Sequence, residues 1–443
     1  MSTQADLHAQ MLTGLSEAWS RSDIAAVDAA LLAWRDAGGE ANLEYQLQSV
    51  YANALLERDT LVQSVRQAER LARAARDEVA LARIAASVID ALYSDWRPSR
   101  EGERWIDALR SVDFVRLQSI RVDKRLHIAA GILAAELFGE ALAIADRVAN
   151  SVVEWCSPPS VASATLRGNA LGYSLEYFSG RRDWVRAREV VARIDSLAVE
   201  AGFGDLAQAR IAARRGFYFH YRRGDYAGAL AQSRLAVERA ADAKVSRAAR
   251  EASITVTLCH LMRGELEAAD QALRAESAAI PEGHLMMRAN VHYERAWWHA
   301  LKRDVISAQR ELDIACELFT EIDEHGVMSL ATPSLQAQLL VQVGEYESAL
   351  HVYETRVRRP NAWLADIALI EALAALARGD RASALLRLKE GVDAAAGIDI
   401  KGIFWACRSE LGTLLDLALQ ENFEPEWVKS VQNARLLADV RGP

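Results

Sequence analysis

An all-α fold of stacked helix hairpins follows from three features of this 443-residue sequence: its helix-forming composition, its lack of strand patterning, and a turn signature that recurs along the chain. Hydrophobic residues make up 51% and charged residues 26%, with only 8 Pro and 24 Gly. Ala, Leu, Arg and Glu dominate most windows, and these side chains lose little rotamer freedom in a helix. Period-two runs of Val, Ile and Thr, the mark of strands, are scarce. The chain is too long for one ordinary compact core, so it is either several domains or an elongated array.

The turn decides for the array. A helix ends in Gly, an acidic residue follows, and a small residue stands five places after the Gly: Gly224-Asp225 to Ala229, Gly264-Glu265 to Ala269, Gly344-Glu345 to Ala349, and Gly379-Asp380 to Ala384. Two copies carry Arg in the Gly place, Arg182-Asp183 to Ala187 and Arg303-Asp304 to Ala308. Gly takes the left-handed conformation at low cost, the acid caps the next helix, and Ala lets two helices approach closely. Apolar residues flank each turn at helical spacing, as at Leu230, Leu235, Ala236 and Val237, or Leu385, Leu386, Leu388 and Val392. The unit resembles the tetratricopeptide (TPR) hairpin, lengthened to about 40 residues. No single hairpin buries its own apolar stripe, so neighbours are expected to stack into a right-handed superhelix, a TPR-like solenoid.

Residues 1–155 read as divergent repeats. Helices are predicted at Leu7 to Trp19, Ile24 to Arg35, Leu43 to Glu57, Leu61 to Ala75 and Val79 to Tyr93, with breaks at Gly38-Gly39 and Arg97-Pro98. Ser22-Asp23-Ile24 and Arg58-Asp59-Thr60 look like worn copies of the turn. The Cys156-Ser157-Pro158-Pro159-Ser160 segment separates this part from regular TPR-like repeats over 160–400, and 401–443 reads as a closing repeat and cap.

Composition also narrows the function. A net charge of -9 disfavours direct nucleic acid binding, which needs a concentrated basic face. Cys156, Cys259, Cys316 and Cys407 lie far apart without zinc-ligand spacing, as expected of a reduced, cytoplasmic protein. The N-terminus lacks the pattern of a signal peptide, and no apolar run reaches membrane-spanning length. Phosphate-loop, G-x-S-x-G and H-E-x-x-H motifs are absent, so no catalytic residues, cofactor or metal site are expected. His284, His292 and His299 invite a metal reading, but Arg295 sits on the intermediate turn, and a cation there opposes a bound metal.

The richest polar and aromatic stretch runs from Arg214 to Arg223. Counting back from Gly224, Arg214, Tyr218, Tyr221 and Arg222 fall on the inner-helix face, and Tyr293 and Trp297 take the equivalent places two repeats later. Together they form a candidate groove for a protein, peptide or small-molecule effector, with Arg suited to an anionic group. The competing reading is that half of these side chains are interhelical packing.

His292-Tyr293-Glu294-Arg295-Ala296-Trp297, followed by the Asp304 turn, resembles the repeat region of large bacterial transcription activators of the signal-transduction ATPase (maltose-activator-like) class. The tail, with Ile403-Phe404-Trp405, Leu417-Ala418-Leu419 and Phe423-Glu424-Pro425-Glu426-Trp427-Val428, is similar to the closing repeat of that region. The resemblance implies a ligand- or partner-sensing and oligomerisation region, homo-oligomers included. The ATPase and DNA-binding domains of that class are not in this sequence, and the basic end of the closing repeat is diluted to Lys429-Ser430-Val431-Gln432-Asn433-Ala434-Arg435. Either a sensor region cut from such a regulator or a free-standing TPR adaptor fits these departures.

Overall fold

The computed structural model describes residues 4–21, 23–95, 97, 99–138, 142–157, 162–181, 183–322, 327–356, 364–396 and 408–435. Among them are 23 α-helices and no strand, the all-α, TPR-like helical repeat expected. Arg182, Pro158 to Ser160, Ile403 to Trp405 and Cys407 lie outside the described residues.

Two compact units emerge: Met1–Tyr218 with Gln232–Ala252, and Phe219–Ala231 with Ser253–Pro443. The division at residues 155–160 was drawn from repeat regularity, a different property from compactness, and the first unit runs through it.

In the second unit the turn chemistry holds atom by atom. Gly224, Gly264, Gly344 and Gly379 have φ of 72°, 68°, 84° and 78°, and Arg303 reaches 64° without being glycine. In each case the next residue's N–H reaches back to close the helix: Asp225 to His220 O, Glu265 to His260 O, Asp304 to His299 O, Glu345 to Leu340 O and Asp380 to Ala375 O, at 2.9–3.0 Å. That bond satisfies a carbonyl the helix end would otherwise leave open. The short acids also cap forward, Asp225 accepting from Gly228 N at 2.9 Å, Asp304 from Ser307 N at 3.1 Å and Asp380 from Ser383 N at 3.0 Å. Glu265 makes no such cap.

Ala229, Ala269, Ala308, Ala349 and Ala384 are all 0% exposed, and so is Ala187 in the first unit. A methyl side chain fully shielded from solvent requires a neighbour packed directly against it. The flanking apolar residues divide: Leu388 and Val392 are buried, whereas Val237 and Leu386 face solvent at 43% and 57%.

A side-chain latch not anticipated from the sequence recurs at three consecutive turns. His220, His260 and His299 each stand five residues before the acid, and their Nδ1 atoms bond Asp225, Glu265 and Asp304 at 2.7, 2.7 and 3.2 Å. The spacing was visible as His-x-x-[Arg/Lys]-[Gly/Arg]-[Asp/Glu].

The first unit uses the same devices less regularly. Helices Gln4–Arg21, Ile24–Asp36, Leu43–Leu55, Leu61–Ala75 and Glu78–Ser94 match the five predicted there. Asp23 caps its helix through Ala26 N, as expected of a worn turn. At the second proposed copy the left-handed residue is Glu57, not Arg58, and the following helix starts at Leu61 behind a Thr60 that makes no side-chain cap. Arg76-Asp77 is the better copy: Arg76 has φ 52° and Asp77 caps Ala80 N. Gly131 sets another close approach, since a Cβ there would lie 2.4 Å from Ala86 Cα.

Replacing Ala269 by Leu should destabilise the second unit by about 1–3 kcal/mol through overpacking. The same change at Ala275, exposed on the same helix Leu266–Ala278, should be close to neutral. Denaturant unfolding of the two variants measures the contrast.

Candidate functional site

The first unit carries a cluster of charges built on four helices. Helix Glu78–Ser94 supplies Asp90 and Tyr93, Ala164–Gly180 supplies Asn169, Tyr173 and Glu176, Asp205–Arg214 supplies Arg210 and Arg214, and the first turns of Arg247–Arg263 supply Arg247, Arg250 and Glu251. Asp90 accepts from Arg210 Nη2 at 2.5 Å and from the Tyr173 hydroxyl. Arg210 Nη2 and Arg214 Nη1 both donate to Asn169 Oδ1, at 3.0 and 3.3 Å. The Arg214 guanidinium lies 3.9 Å from the centre of the Tyr173 ring, and its Nε is 3.5 Å from Glu176 Oε2. The Tyr93 hydroxyl donates to Glu176 and approaches the Tyr218 hydroxyl at 3.5 Å.

Burial sets the electrostatics. It opposes ionisation of Asp90, but Arg210 and Arg214 outweigh it and hold the carboxyl below its ordinary value. Burial and the Glu176 carboxylate lift the Tyr93 phenol well above its usual range. Burial pushes the Glu251 carboxyl up to about 7, with Arg214 pulling down and Glu176 pushing up.

Tyr93, Tyr218 and Glu251 are surrounded by protein, yet each keeps partial solvent exposure, as do Ser94, Asp95, Arg247 and Arg250. The candidate site is a recess in this sense, that crowded side chains over the buried charges are still partly reached by solvent. Its rim is pinned: Arg250 Nη2 donates to Asp95 Oδ1 at 2.6 Å, Arg247 Nη1 to Ala54 O at 2.8 Å, and Glu57 accepts from the backbone N–H groups of Ser246 and Arg247 at 2.9 and 2.8 Å.

The six predicted groove residues fall in different places. Arg214 and Tyr218 belong to this recess, Arg214 as 3%-exposed floor and Tyr218 at its partly exposed side. In the second unit, Tyr221 faces the Tyr226 ring at 5.9 Å and lies within electrostatic reach of Tyr293. Arg222 is half-buried, while Tyr293 and Trp297 are 5% and 2% exposed, so the latter two are core rather than open groove wall. The local backbone explains part of this. Arg215–His220 is a π-helix and Tyr221–Arg223 a 3-10 turn, so counting back from Gly224 at 3.6 residues per turn misplaces what precedes them. Asp90, Glu176, Arg210 and Glu251 were missed because they come from segments far apart in sequence.

The three histidines weighed as metal ligands are engaged separately. His292 Nδ1 bonds Glu311 Oε2 at 2.6 Å, His299 holds Asp304, and His284 caps Met287 N at 3.3 Å. Arg295 donates to Ser277 Oγ at 2.9 Å. No group of three metal-capable side chains occurs among the described residues.

The second unit holds two further features. A cleft of about 440 Å³ lies between the Gly224 turn and the C-terminal helix Pro425–Ala434, lined by Arg223, Asp225, Tyr226, Arg263 and Asn433 among others. Behind Tyr293, Glu276 and Glu294 meet at 3% and 0% exposure, with Thr257 Oγ1 donating to Glu276 and Asn290 Nδ2 to Glu294 at 3.2 and 3.1 Å. Burial raises both carboxyls, and their mutual hydrogen bond requires a retained proton.

Comparison with solved structures places this architecture beside a Rap protein crystallised in complex with competence and sporulation factor. The two share 14% identity over 81% of this chain and 99% of that chain, with a TM-score of 0.54. A circular tandem repeat protein, also 14% identical and covering 98% of this chain and 96% of its own, overlaps at a TM-score of 0.15. No protein-family profile and no curated protein matches the sequence.

Two outcomes test these assignments. Replacing Arg210 by Met strands the buried Asp90 carboxylate and should cost about 3–5 kcal/mol in chemical unfolding, with Asp90→Leu on the same background recovering part of it. For the Glu pair, the folded state keeps a proton that the unfolded chain releases above its ordinary value near 4.5, so stability falls as pH rises from there. Glu294→Gln should therefore raise the melting temperature relative to wild type at pH 8 and lose most of that advantage at pH 5.

Proposed function

We propose that this chain is a non-catalytic helical-repeat binding protein whose recess in the first unit receives a peptide, either free or as a segment of a partner protein. The observation that carries this reading is the recess itself, where Tyr93, Tyr218, Glu251, Arg247 and Arg250 are reached by solvent around a rigid floor of hydrogen-bonded charges. Alternating donors, acceptors and aromatic faces suit an extended backbone with side chains on both sides. The Rap protein of like fold was solved holding competence and sporulation factor, which adds support by analogy of architecture alone.

The finer reading is that occupancy is sensed on behalf of a bacterial transcription regulator in the cytoplasm. It rests on the resemblance of His292 to Trp297 and of the tail to the repeat region of maltose-activator-like proteins. Among the described residues no helix is long and apolar enough to cross a membrane. A free-standing adaptor that assembles other proteins is the alternative.

A random hexapeptide pool passed over the immobilised full chain tests the binding role. The wild type should retain peptides, and Tyr218→Ala and Arg250→Ala should each lower retention about tenfold with circular dichroism and melting temperature unchanged. Retention that is absent in the wild type, or indifferent to both substitutions, rejects the recess as the site.

A further inference from the structure

We propose that the cleft of the second unit, between the Gly224 turn and the helix Pro425–Ala434, binds a phosphoryl group through Arg223 and Arg263. It is a second site, and it does not depend on peptide binding in the recess of the first unit.

The cleft is a hollow of about 440 Å³, within the size range of small-molecule sites. Arg223 and Arg263 both line it. They hold the same place in consecutive repeats, each immediately before the glycine of its turn, so stacking the repeats brings the two side chains to one opening. The turn itself does not demand arginine there, since Val343 precedes Gly344.

The carboxylates that oppose an anion at this opening are Asp225, in the wall, and Glu265, beside Arg263. Both are engaged through both oxygens. Asp225 gives Oδ1 to the Gly228 N–H at 2.9 Å and Oδ2 to His220 at 2.7 Å. Glu265 gives Oε2 to His260 at 2.7 Å and Oε1 to Arg263 at 3.0 Å. A guanidinium carries five N–H donors in a planar fork, so Arg263 can hold Glu265 and a second acceptor together. The Arg223 guanidinium lies over the Phe219 ring, 4.7 Å from its centre, a contact made through the guanidinium face rather than its N–H edge. Arg435, next in the chain after the Asn433-Ala434 wall, is buried and set against Tyr226, Tyr221 and Asp366.

The donor set favours phosphate over carboxylate. One bidentate guanidinium uses both oxygens of a carboxylate, whereas a phosphoryl group offers three, enough for two arginines and a helix start. Tyr226 and Ala227 supply that start: they line the cleft as the first residues of the helix Tyr226–Asp242. The first N–H groups of a helix have no acceptor within it, and its dipole there attracts anions. The negative end of Pro425–Ala434 also borders the cleft, with the Arg435 N–H closing onto Val431 O at 3.1 Å. The exposed Asn433 amide can meet a hydroxyl of an organic remainder.

Equilibrium dialysis of the full chain against inorganic phosphate and against ribose 5-phosphate, at fixed ionic strength, decides the matter. Both should bind with dissociation constants of about 1 mM or tighter, and acetate should displace neither. Arg223→Gln and Arg263→Gln should each weaken binding about tenfold, while Arg274→Gln, whose side chain is exposed elsewhere in the unit, should not change it. Circular dichroism and melting temperature check each variant. Where a glutamine variant loses its fold, Arg223→Lys or Arg263→Lys keeps the charge, and should weaken binding about threefold by removing the fork. Tighter binding of ribose 5-phosphate identifies an organic phosphate as the ligand, and equal binding identifies free phosphate. Binding of neither probe, displacement by acetate, or equal effects of all three glutamine substitutions overturns the proposal. None of these outcomes bears on the recess.

Discussion

Each hairpin of the second unit depends on two helices approaching closely enough to exclude solvent from an alanine. Ala229, Ala269, Ala308, Ala349 and Ala384 are wholly buried, and each follows by five residues a backbone in the left-handed region. The conformation reverses the chain, the returning N–H closes the first helix, and the acid opens the second. Arg303 shows how strongly the geometry is imposed. It adopts φ 64° despite its Cβ, held by its N–H to Ala300 O and by the Asp304 N–H to His299 O. Its side chain also reaches Glu410 at 2.7 Å, so the turn that lacks glycine is tied to the helix Arg408–Gln420.

The first unit solves the same packing problem with different means. Gly131 lets the helix Val122–Leu137 lie against Ala86, where Ser87 Oγ meets His127 Nε2 at 2.8 Å. One helical turn further along Glu78–Ser94, Asp90 enters the cluster of Arg210, Asn169 and Tyr173. Burial drives the His127 imidazole down to about 3, so it stays neutral, while the carboxyl of Asp90 stays charged because arginines face it. Taking such ions out of water rarely adds net stability over well-packed apolar side chains. Their retention is better explained by what they hold in place, namely the partly exposed tyrosines and Glu251 above them.

The proposed binding role calls on the perturbed carboxyls for recognition or stability. The perturbed carboxyls, Glu251 in the recess and the Glu276–Glu294 pair in the second unit, arise from burial and from like charges nearby. In the recess that perturbation lies where solvent enters, and in the second unit it is sealed among Thr257, Asn290 and Tyr293. The first arrangement fits the recognition role proposed for this unit, and the second bears on stability.

Local chemistry by itself determined the helices and the repeat. The left-handed turn, the acidic cap and the small residue act within six consecutive positions, so composition and spacing reveal them, and Leu61–Ala75 was legible to the residue. The His-to-acid latch was equally local, but of its histidines only His299 drew attention, as a metal ligand, and the spacing it shares with His220 and His260 was not noticed. What only the tertiary structure decided is which inner-helix side chains meet. The π-turn at Arg215–His220 shifts the register that helical counting assumes, sending Arg214 into a charged floor. Packing buries Tyr293 and Trp297, which periodicity alone places on the same face as an open groove. The recess joins Asp90, Glu176, Arg210 and Glu251 across more than 150 residues of chain, and no pattern in sequence spacing encodes an encounter made by stacking.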